Sequence, residues 1–383
     1  MVEPVRVLYV IDSLGPGGAE TSLASMAPHL ARLGVDLHVC YLIERDGLHE
    51  QFRSAGAMLH RLDVPRIRRV AALRRLIRQV DPDIVHTTLY EADQVGRVAG
   101  ALTRRPVVSS LVSTGFELGS WRSVAGLKTR AAVVVDAVTA RAVTRFHAVS
   151  PPVVDVMSRR LILPRDRFAV IPRGREPDAL GAWSGPRRRS VRKTLGLAPG
   201  APFVVAVGRE VLPKGHATLL NAIPEVAELM PGIRIAIAGR PGDRSDEITQ
   251  AIADLDIGHI VDRLGHRDDV ADLLVAADVL AFPSTREGFP GTLIEAMAME
   301  CPIVASDIPS IRSILERPDG NSLGTMVPVG DSGALARALV AELDSPRDEE
   351  QLSRARLVFE RDFTTSAVSE RTIALYRDVL RRP

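Results

Sequence analysis

A strand, a turn and a helix follow one another in FVVAVGREVLPKGHATLLNAIPEVAEL, residues 203–229. FVVAVG (203–208) is a β-branched run typical of a buried strand, and HATLLNAIPEVAEL (216–229) has the apolar spacing of a helix. When such units repeat, each crossover places the next strand parallel to the one before. The stretch therefore predicts an α/β fold with a doubly wound parallel sheet, whose ligands bind just beyond the carboxyl ends of the strands.

The same alternation extends in both directions from this stretch. Toward the carboxyl end, the strand-like runs are IRIAIAG (233–239), IVDRLG (260–265), DVLAFPS (278–284), PIVASD (302–307) and GTMVPV (324–329). Toward the amino end, they are VRVLYVI (5–11), DLHVCYLI (36–43), AMLHRL (57–62), DIVH (83–86), PVVSSLV (106–112), FHAV (146–149) and FAVI (168–171). Helical patterns separate most of these runs, so we predict two Rossmann-like, doubly wound parallel-sheet domains that face a central cleft.

A change of composition separates the two groups of strands. Residues 172–202 are rich in Pro, Gly and Arg, which is typical of a linker. We therefore expect an amino-terminal domain over 1–175, a linker over 176–201 and a second domain over 202–360. The remaining residues, 361–383, are predicted to form a helix that packs back on the first domain.

Length and composition agree with this interpretation. A chain of 383 residues is long enough for two cores, and 46 % hydrophobic with 25 % charged residues excludes a disordered or fibrous protein. The net charge of +2 gives no bulk attraction for nucleic acid. Cys40 and Cys301 are far apart and form no C-x-x-C pair, which excludes a disulfide framework or a zinc ribbon and fits a reducing cytosol.

No secretory or membrane-spanning segment is expected. VRVLYVI begins soon after Met1, follows the acidic Glu3 and lacks a basic n-region and a long apolar core. The most apolar later stretch, AAVVVDAVTARAV (131–143), is interrupted by Asp136 and Arg141 and is far shorter than the ~20 residues of a spanning helix. We expect a cytoplasmic protein.

Two cations follow the strand at 203–208. Arg209 comes directly after Gly208, and Lys214 lies at the start of the next helix. Only Lys128, Lys193 and Lys214 are lysines in this arginine-rich chain, so a lysine at this position is informative. Two cations and a helix N-terminus predict a diphosphate site. The alternative is a pair of solvated surface cations.

Two carboxylates lie in the stretch PSTREGFPGTLIEAMA, residues 283–298. Glu287 is in the glycine- and proline-rich loop, and Glu295 is in the helix predicted to begin near Gly291. Carboxylates accept paired hydrogen bonds from vicinal hydroxyls, which predicts contacts to a sugar and a ribose. The amides of Gly291, Thr292 and Leu293 are expected to face anionic oxygens. The alternative for Glu295 is a partly exposed helical residue.

A third candidate is the glycine-rich turn GPGGAE, residues 15–20, after the first strand. Gly17 and Gly18 allow a ligand to approach the backbone at a helix N-terminus. Glu20 replaces the last glycine of a dinucleotide fingerprint, so that interpretation is weak. The alternative is a turn without a ligand.

GREVLPKG (208–215) and EGFPGTLIEAMAMECPIVASDIP (287–309) together resemble the two signature stretches of the retaining family-four glycosyltransferases (glycosyl transferases group 1), whose fold is the GT-B architecture. Comparable segments are GPGGAE (15–20), PDIVH (82–86), VSP (149–151), VIPRG (170–174) and LGHRDDV (264–270). The resemblance covers nearly the whole chain. It implies a nucleoside-diphosphate sugar as donor, with a UDP-sugar slightly favoured over a GDP-sugar, and no cofactor.

The resemblance also implies roles for individual residues. Arg209 and Lys214 would bind the diphosphate, Glu287 the transferred sugar and Glu295 the ribose. Gly239 and His266 would hold the base through the backbone, and Gly17 and Gly18 would close over the diphosphate or the sugar.

The sequence departs from the family pattern at two places. Many relatives have a histidine after the fifth strand, where this chain has Val112, followed by Ser113 and Thr114. An asparagine usual before the glycine of VIPRG is Arg173. His86, at the end of the fourth strand, is a candidate to replace the missing histidine on the acceptor side, although a strand-end histidine is more often packed and hydrogen-bonded.

The implied function is a retaining, metal-independent hexosyltransferase that acts on a hydroxyl acceptor in glycan, glycolipid or polysaccharide synthesis. No metal site is expected, because neither D-x-D pattern gathers several oxygens. The alternatives are a nucleotide-sugar epimerase, a hydrolase and a non-catalytic nucleotide-binding protein. The oligomeric state stays open.

An arginine-rich segment, RLDVPRIRRVAALRRLIR (61–78), raises the question of a membrane. Its helical pattern over 66–79 predicts an arginine face opposite Ile67, Val70, Leu73, Ile77 and Val80. A basic amphipathic helix can lie on anionic lipid, so peripheral contact with the inner membrane face and a lipid-linked acceptor are expectations. The alternative is a core-packed helix with a solvated arginine face.

Overall fold

The structure is a computed structural model that describes residues 4–113, 124–345 and 347–382, with the backbone alone for 124–130. The chain divides into two compact units. The first contains the residues up to Glu176 together with those from Thr364 onward, and the second contains Pro177–Phe363. Each unit has its own parallel sheet, which confirms the predicted fold class.

The first unit has a seven-stranded parallel sheet. Its strands, β1 to β7, are Val5–Ser13, Val35–Ile43, Met58–Arg61, Ile84–Thr88, Val107–Leu111, Arg145–Ala148 and Phe168–Val170. They lie in the order β3-β2-β1-β4-β5-β6-β7. The central strands β1, β4 and β5 are buried almost throughout, as expected for β-branched runs covered on both faces. The order reverses between β1 and β4, so polar residues at the carboxyl ends of these strands are well placed for a site.

Among the described residues, six helices connect these strands. They are α1 (Gly18–Arg32), α2 (His49–Ser54), α3 (Arg69–Val80), α4 (Tyr90–Leu102), α5 (Val124–Thr139) and α6 (Pro151–Leu161). The basic helix α3 buries Leu73 and Ile77 against the sheet, as predicted. The expectation for Ile67 is wrong, because residues 66–68 form a separate 3-10 turn and leave its side chain 92 % exposed.

The second unit has a six-stranded parallel sheet in the order β10-β9-β8-β11-β12-β13. The strands β8 to β13 are Phe203–Val207, Arg234–Ala238, Val261–Gly265, Val279–Phe282, Ile303–Ser306 and Thr325–Val327. The helices α7 to α15 are Pro177–Leu180, Gly185–Thr194, His216–Leu229, Ser245–Asp254, Val270–Ala276, Gly291–Ala298, Pro309–Leu315, Ser332–Asp344 and Glu349–Asp362. Val204, Leu219 and Ile235 lie in its buried core.

The segment predicted as a linker, 176–201, contains α7 and α8 and belongs to the second unit from Pro177 onward. Arg188 donates hydrogen bonds to the carbonyls of Val275 and Ala277, at 2.8 and 2.6 Å, and Arg192 donates to that of Ala276 at 2.9 Å. Carbonyls at a helix C-terminus lack partners within the helix, so these arginines satisfy the end of α11.

The final helix, α16 (Thr365–Arg381), belongs to the first unit. It packs against α1, and its buried Val368, Tyr376 and Val379 lie in one apolar cluster with Leu23 and Leu30 of α1. The first unit is therefore built from two separate stretches of the chain. Among the described residues, no helix combines the length and the apolar character needed to span a membrane.

Candidate functional site

The turns that follow β8 and β11 touch each other in the second unit. The Thr285 amide donates to the Pro213 carbonyl at 2.8 Å. Gly215 has a φ of +67°, and a Cβ there would lie 2.0 Å from the Pro283 carbonyl oxygen, so only glycine fits. This contact brings the two stretches that carry the family resemblance to the same edge of the sheet.

Lys214 and Glu287 meet at this edge. The Lys214 ammonium donates to the Glu287 carboxylate at 2.6 Å and lies 5.3 Å from the centre of the Phe282 ring. The side chains are 24 % and 13 % exposed, so both remain accessible to a ligand. Gly208 directly follows β8, and a Cβ there would lie 2.9 Å from the Lys214 side chain.

Arg209 has a fixed backbone and an exposed side chain. Its carbonyl accepts hydrogen bonds from Val211 N–H at 2.8 Å and from Nε2 of His216 at 3.0 Å. His216 is the first residue of α9 and is buried, and burial lowers the pKa of its imidazole. Within the described residues, no ion pair to the Arg209 guanidinium is found, so this cation is available for an anion.

Helix α12 begins at Gly291, as predicted. The first amides of a helix have no partner within it, and Gly291 and Thr292 are half-buried here. Leu293 differs from the expectation, because its N–H already contacts the Pro290 carbonyl at 3.2 Å. Glu295 is half-buried one turn into the helix.

The carboxyl ends of β9 and β10 complete this edge. The Gly239 amide donates to the Gly265 carbonyl at 2.7 Å, and a Cβ on Gly239 would lie 1.9 Å from the Gly208 carbonyl oxygen. The strand ends at Gly208 and Gly239 therefore approach closely. His266 is exposed, with Nε2 3.2 Å from the Arg240 guanidinium and 3.3 Å from the Asp268 carboxylate.

Sequence reasoning missed Glu210. Its buried carboxylate accepts two hydrogen bonds from Arg263, at 2.9 and 2.6 Å, and one from Ser245 at 2.5 Å. In the sequence, the only indication of this ion pair is a carboxylate next to a strand end. Its arginine partner lies 53 positions further on, where no local pattern connects the two residues.

In the first unit, Gly17 and Gly18 begin α1. A Cβ on Gly17 would lie 2.3 Å from the Glu20 carboxylate, and one on Gly18 would lie 2.6 Å from the Arg173 guanidinium. Both contacts are with the mobile ends of long side chains, which can move aside, so they do not by themselves require glycine at these positions. Their predicted contact with a donor stays a prediction.

His86 lies inside the first unit, 1 % exposed on β4. The adjoining cavity of about 40 Å³ has room for a few water molecules. Of the other acceptor-side candidates, Ser113 is exposed just after β5, and Thr114 lies outside the described residues.

Both ring nitrogens of His86 belong to a buried chain of hydrogen bonds. His147 donates from Nε2 to the Ile171 carbonyl at 2.8 Å, so its Nδ1 accepts from Ser110 at 3.0 Å. The Ser110 hydroxyl has one proton, so it accepts from Nε2 of His86 at 2.7 Å. The Tyr376 hydroxyl then donates to Nδ1 of His86 at 2.6 Å. This geometry is that of a packed, neutral histidine.

Two family models match this chain. One is described as Glycosyl transferases group 1 and matches residues 201–345, and the other is described as Glycosyltransferase Family 4 and matches residues 16–179. Together they cover most of the chain, and each lies mainly within one unit.

Among curated relatives, the phosphatidyl-myo-inositol mannosyltransferase of Mycobacterium leprae is 37 % identical over 183 residues, covering 46 % of this chain and 46 % of that protein. The D-inositol 3-phosphate glycosyltransferase of Nocardia farcinica is 33 % identical over 181 residues, covering 45 % and 37 %. The match therefore spans less than half the length of each of these relatives.

Solved structures of similar fold cover nearly the whole chain. Anabaena HepE in complex with UDP has a TM-score of 0.83 at 21 % identity, covering 98 % of this chain and 100 % of that one. WaaG, a glycosyltransferase involved in lipopolysaccharide biosynthesis, has a TM-score of 0.73 at 16 % identity, covering 97 % and 99 %. The two family models show that the chain belongs to the glycosyltransferases of group 1 and family 4, and its two parallel-sheet α/β domains have the GT-B architecture of these solved structures.

Proposed function

We propose that this protein is a retaining glycosyltransferase that moves a hexose from a nucleoside-diphosphate sugar to a hydroxyl acceptor. The observation that carries the proposal is the meeting of Lys214 and Glu287 at the carboxyl edge of the second sheet, 2.6 Å apart. A cation for a phosphate and a carboxylate for hydroxyls lie side by side there, as a sugar diphosphate requires.

The two cations stabilise the leaving group. Arg209 and Lys214 bind the diphosphate oxygens, and the first-turn amides of α12 add partial positive charge. When the diphosphate binds the Lys214 ammonium in place of Glu287, the Glu287 carboxylate becomes free to accept hydrogen bonds from the sugar hydroxyls. Charge on the departing phosphate is then neutralised without a metal ion.

The transfer step needs no nucleophile from the protein. The bond between the anomeric carbon and the phosphate oxygen breaks, and its electron pair stays on the phosphate. The acceptor oxygen forms the new bond on the same face of the sugar, and its proton passes to the departing phosphate oxygen. The configuration at the anomeric carbon is retained.

The nucleoside part of the donor is assigned to the neighbouring residues. Glu295 accepts from the ribose hydroxyls, and the backbone at Gly239 and His266 holds the base. UDP is the favoured nucleotide, which is supported by the fold likeness to HepE, a protein crystallised with UDP and with UDP-glucose.

The acceptor is proposed to be lipid-linked and reached at the inner face of the membrane. Support comes from the names of relatives, which include phosphatidyl-myo-inositol mannosyltransferases and a lipopolysaccharide core glycosyltransferase. It also comes from Arg68, Arg75 and Arg78, which are exposed and have no ion pair among the described residues, and from the exposed Ile67, which precedes Arg68. Unpaired arginines next to an exposed apolar side chain suit an anionic bilayer.

Thermal shift with UDP, GDP and their hexose derivatives, followed by transfer assays with radiolabelled donor and a membrane lipid extract, tests the proposal. We expect one nucleotide to stabilise the protein and label to enter the lipid fraction, with activity that survives EDTA. Release of free sugar alone indicates a hydrolase, isomerised donor an epimerase, and binding without turnover a nucleotide-binding protein. Strict recovery by added magnesium or manganese contradicts the metal-free mechanism.

A further inference from the structure

Glu210 is the central residue of a three-residue turn at the start of the GREVLPKG stretch. The turn is closed by the hydrogen bond from Val211 N–H to the Arg209 carbonyl. The Glu210 side chain is buried, whereas the neighbouring Arg209 side chain is exposed. The two side chains are thus in different environments, one within the protein and one in solvent.

Both oxygens of the buried Glu210 carboxylate accept hydrogen bonds. Arg263, on β10, donates to both of its oxygens, and Ser245 donates a third hydrogen bond. Burial alone would raise the pKa of Glu210, but these hydrogen bonds hold it below its usual value, so the group stays ionised. A paired guanidinium and carboxylate have a defined geometry, because each donor faces one oxygen.

The backbone at Glu210 is held as well. Its N–H donates to the Arg240 carbonyl at 3.1 Å, and its carbonyl accepts from the Arg244 amide at 3.0 Å. A Cβ on Gly242 would lie 2.4 Å from the Glu210 carbonyl oxygen, so the two loops are in close contact. The loop after β9 and the Arg263 side chain on β10 therefore hold the turn from one side.

His216 holds the same turn from the other side, through the carbonyl of Arg209. Between these two anchors, the only long side chain of the turn that stays in solvent is that of Arg209. An exposed arginine has many rotamers, so a fixed backbone is what limits where its guanidinium can reach.

We propose that Glu210, clamped by Arg263, is a positioning residue that fixes the backbone of Arg209 and so presents its guanidinium to the donor diphosphate. The inference rests on the proposed function, because it takes a diphosphate as the ligand of Arg209. Glu210 does not touch the donor; it acts through the neighbouring residue.

The variants Glu210→Gln and Arg263→Lys test this, with Asp262→Asn as matched control. Asp262 is paired with Arg234 across the same two strands, β9 and β10, but that pair does not touch the turn. Affinities for UDP and for uridine are measured, together with amide hydrogen exchange of residues 208–214 in the ligand-free protein. Exchange reports on the turn even if UDP is not the donor.

We expect UDP affinity to fall about 10-fold in each test variant, with uridine affinity unchanged, since only the phosphate contact is misplaced. Arg209→Ala and the double variant Arg209→Ala/Glu210→Gln should bind UDP equally, because Glu210 acts only through Arg209. Exchange of the turn should rise about 10-fold in the test variants and stay as in wild type in the control.

Three results overturn the inference: unchanged exchange in both test variants, equal losses for UDP and uridine, or additive losses in the double variant. A wild-type protein that fails to bind UDP contradicts the proposed donor instead. The exchange measurement then still decides whether Glu210 anchors the turn.

Discussion

The Lys214 ammonium and the Glu287 carboxylate are 73 positions apart in the sequence and 2.6 Å apart in the structure. Each is the other's hydrogen-bonding partner, at a site that remains partly open to solvent. A diphosphate carries more negative charge than one carboxylate, so it competes well for the ammonium. Under the proposed function, the pair holds both groups at the place where a donor diphosphate would displace the carboxylate from the ammonium.

Loss of either cation should abolish most of the activity. We expect Lys214→Ala and Arg209→Ala each to reduce donor turnover by at least ~100-fold, since each removes a charge that stabilises the leaving diphosphate. Steady-state kinetics measure this, and Lys193→Ala, at an exposed lysine on α8, serves as control. Near-normal turnover in both variants would show that the diphosphate lies elsewhere.

Glu287→Gln should separate nucleotide binding from sugar transfer. We expect UDP affinity to stay equal or rise, because Lys214 loses a competing carboxylate, whereas turnover of the sugar donor falls by about 100-fold. Calorimetry with UDP and kinetics with the donor sugar measure the two effects. Equal losses in both measurements would argue against a sugar contact for Glu287.

Most of the fold was predictable from the sequence because its strands are β-branched runs between glycines and prolines. Helices α7 and α8 were not predicted, because their Pro, Gly and Arg content resembles a linker. Contacts distant in sequence hold α8 in place, namely Arg188 and Arg192 on the carbonyls that end α11. Tertiary contacts thus override a weak local preference.

The grouping of the candidate site residues in the second unit was partly predictable for a similar reason. Gly208, Lys214 and Glu287 lie within short motifs, where spacing fixes which strand end they follow. The pairing of Glu210 with Arg263 and the burial of His86 depend on long-range packing, which no local pattern records.

The buried histidines should make the first unit sensitive to acid. Burial and the nearby Arg173 lower the pKa of His147 to about 4, from 6.5, and burial and the neighbouring His147 lower the pKa of His86 well below its usual value. Between pH 6.5 and about pH 4, His147 binds a proton in the unfolded chain but not in the folded protein. The free energy of unfolding therefore falls as the pH drops from about 6.5 to about 4. His147 alone should contribute ~3 kcal/mol to this loss.

Urea unfolding at about pH 7 and pH 4.5 checks this prediction. Replacement by a neutral side chain, His147→Asn, should flatten the pH dependence, whereas His259→Asn, at an exposed histidine, should not. An unfolding free energy that is the same at both pH values in the wild-type protein would contradict it.

The arginine surface on and before α3 should bind anionic membranes. Each basic residue near such a surface contributes ~1 kcal/mol, so replacing Arg68, Arg75 and Arg78 by Gln should weaken binding by about 100-fold. Flotation with phosphatidylglycerol vesicles at low salt measures the effect. The charge-matched control replaces Arg337, Arg381 and Arg382, all exposed, by Gln. No binding of the wild-type protein would leave a water-soluble acceptor as the better interpretation.

The position of α16 affects the order in which this protein can be assembled during translation. Ribosomes extend a chain from its amino end, and domains generally fold in that order. Here the last helix supplies Val368, Tyr376 and Val379 to the core that also contains Leu23 and Leu30. That core therefore stays incomplete, with apolar side chains uncovered, until residues beyond 364 have been made. The second unit, Pro177–Phe363, has all its residues by then, so it can finish folding first, and the amino-terminal part of the first unit waits longest for its core to be completed.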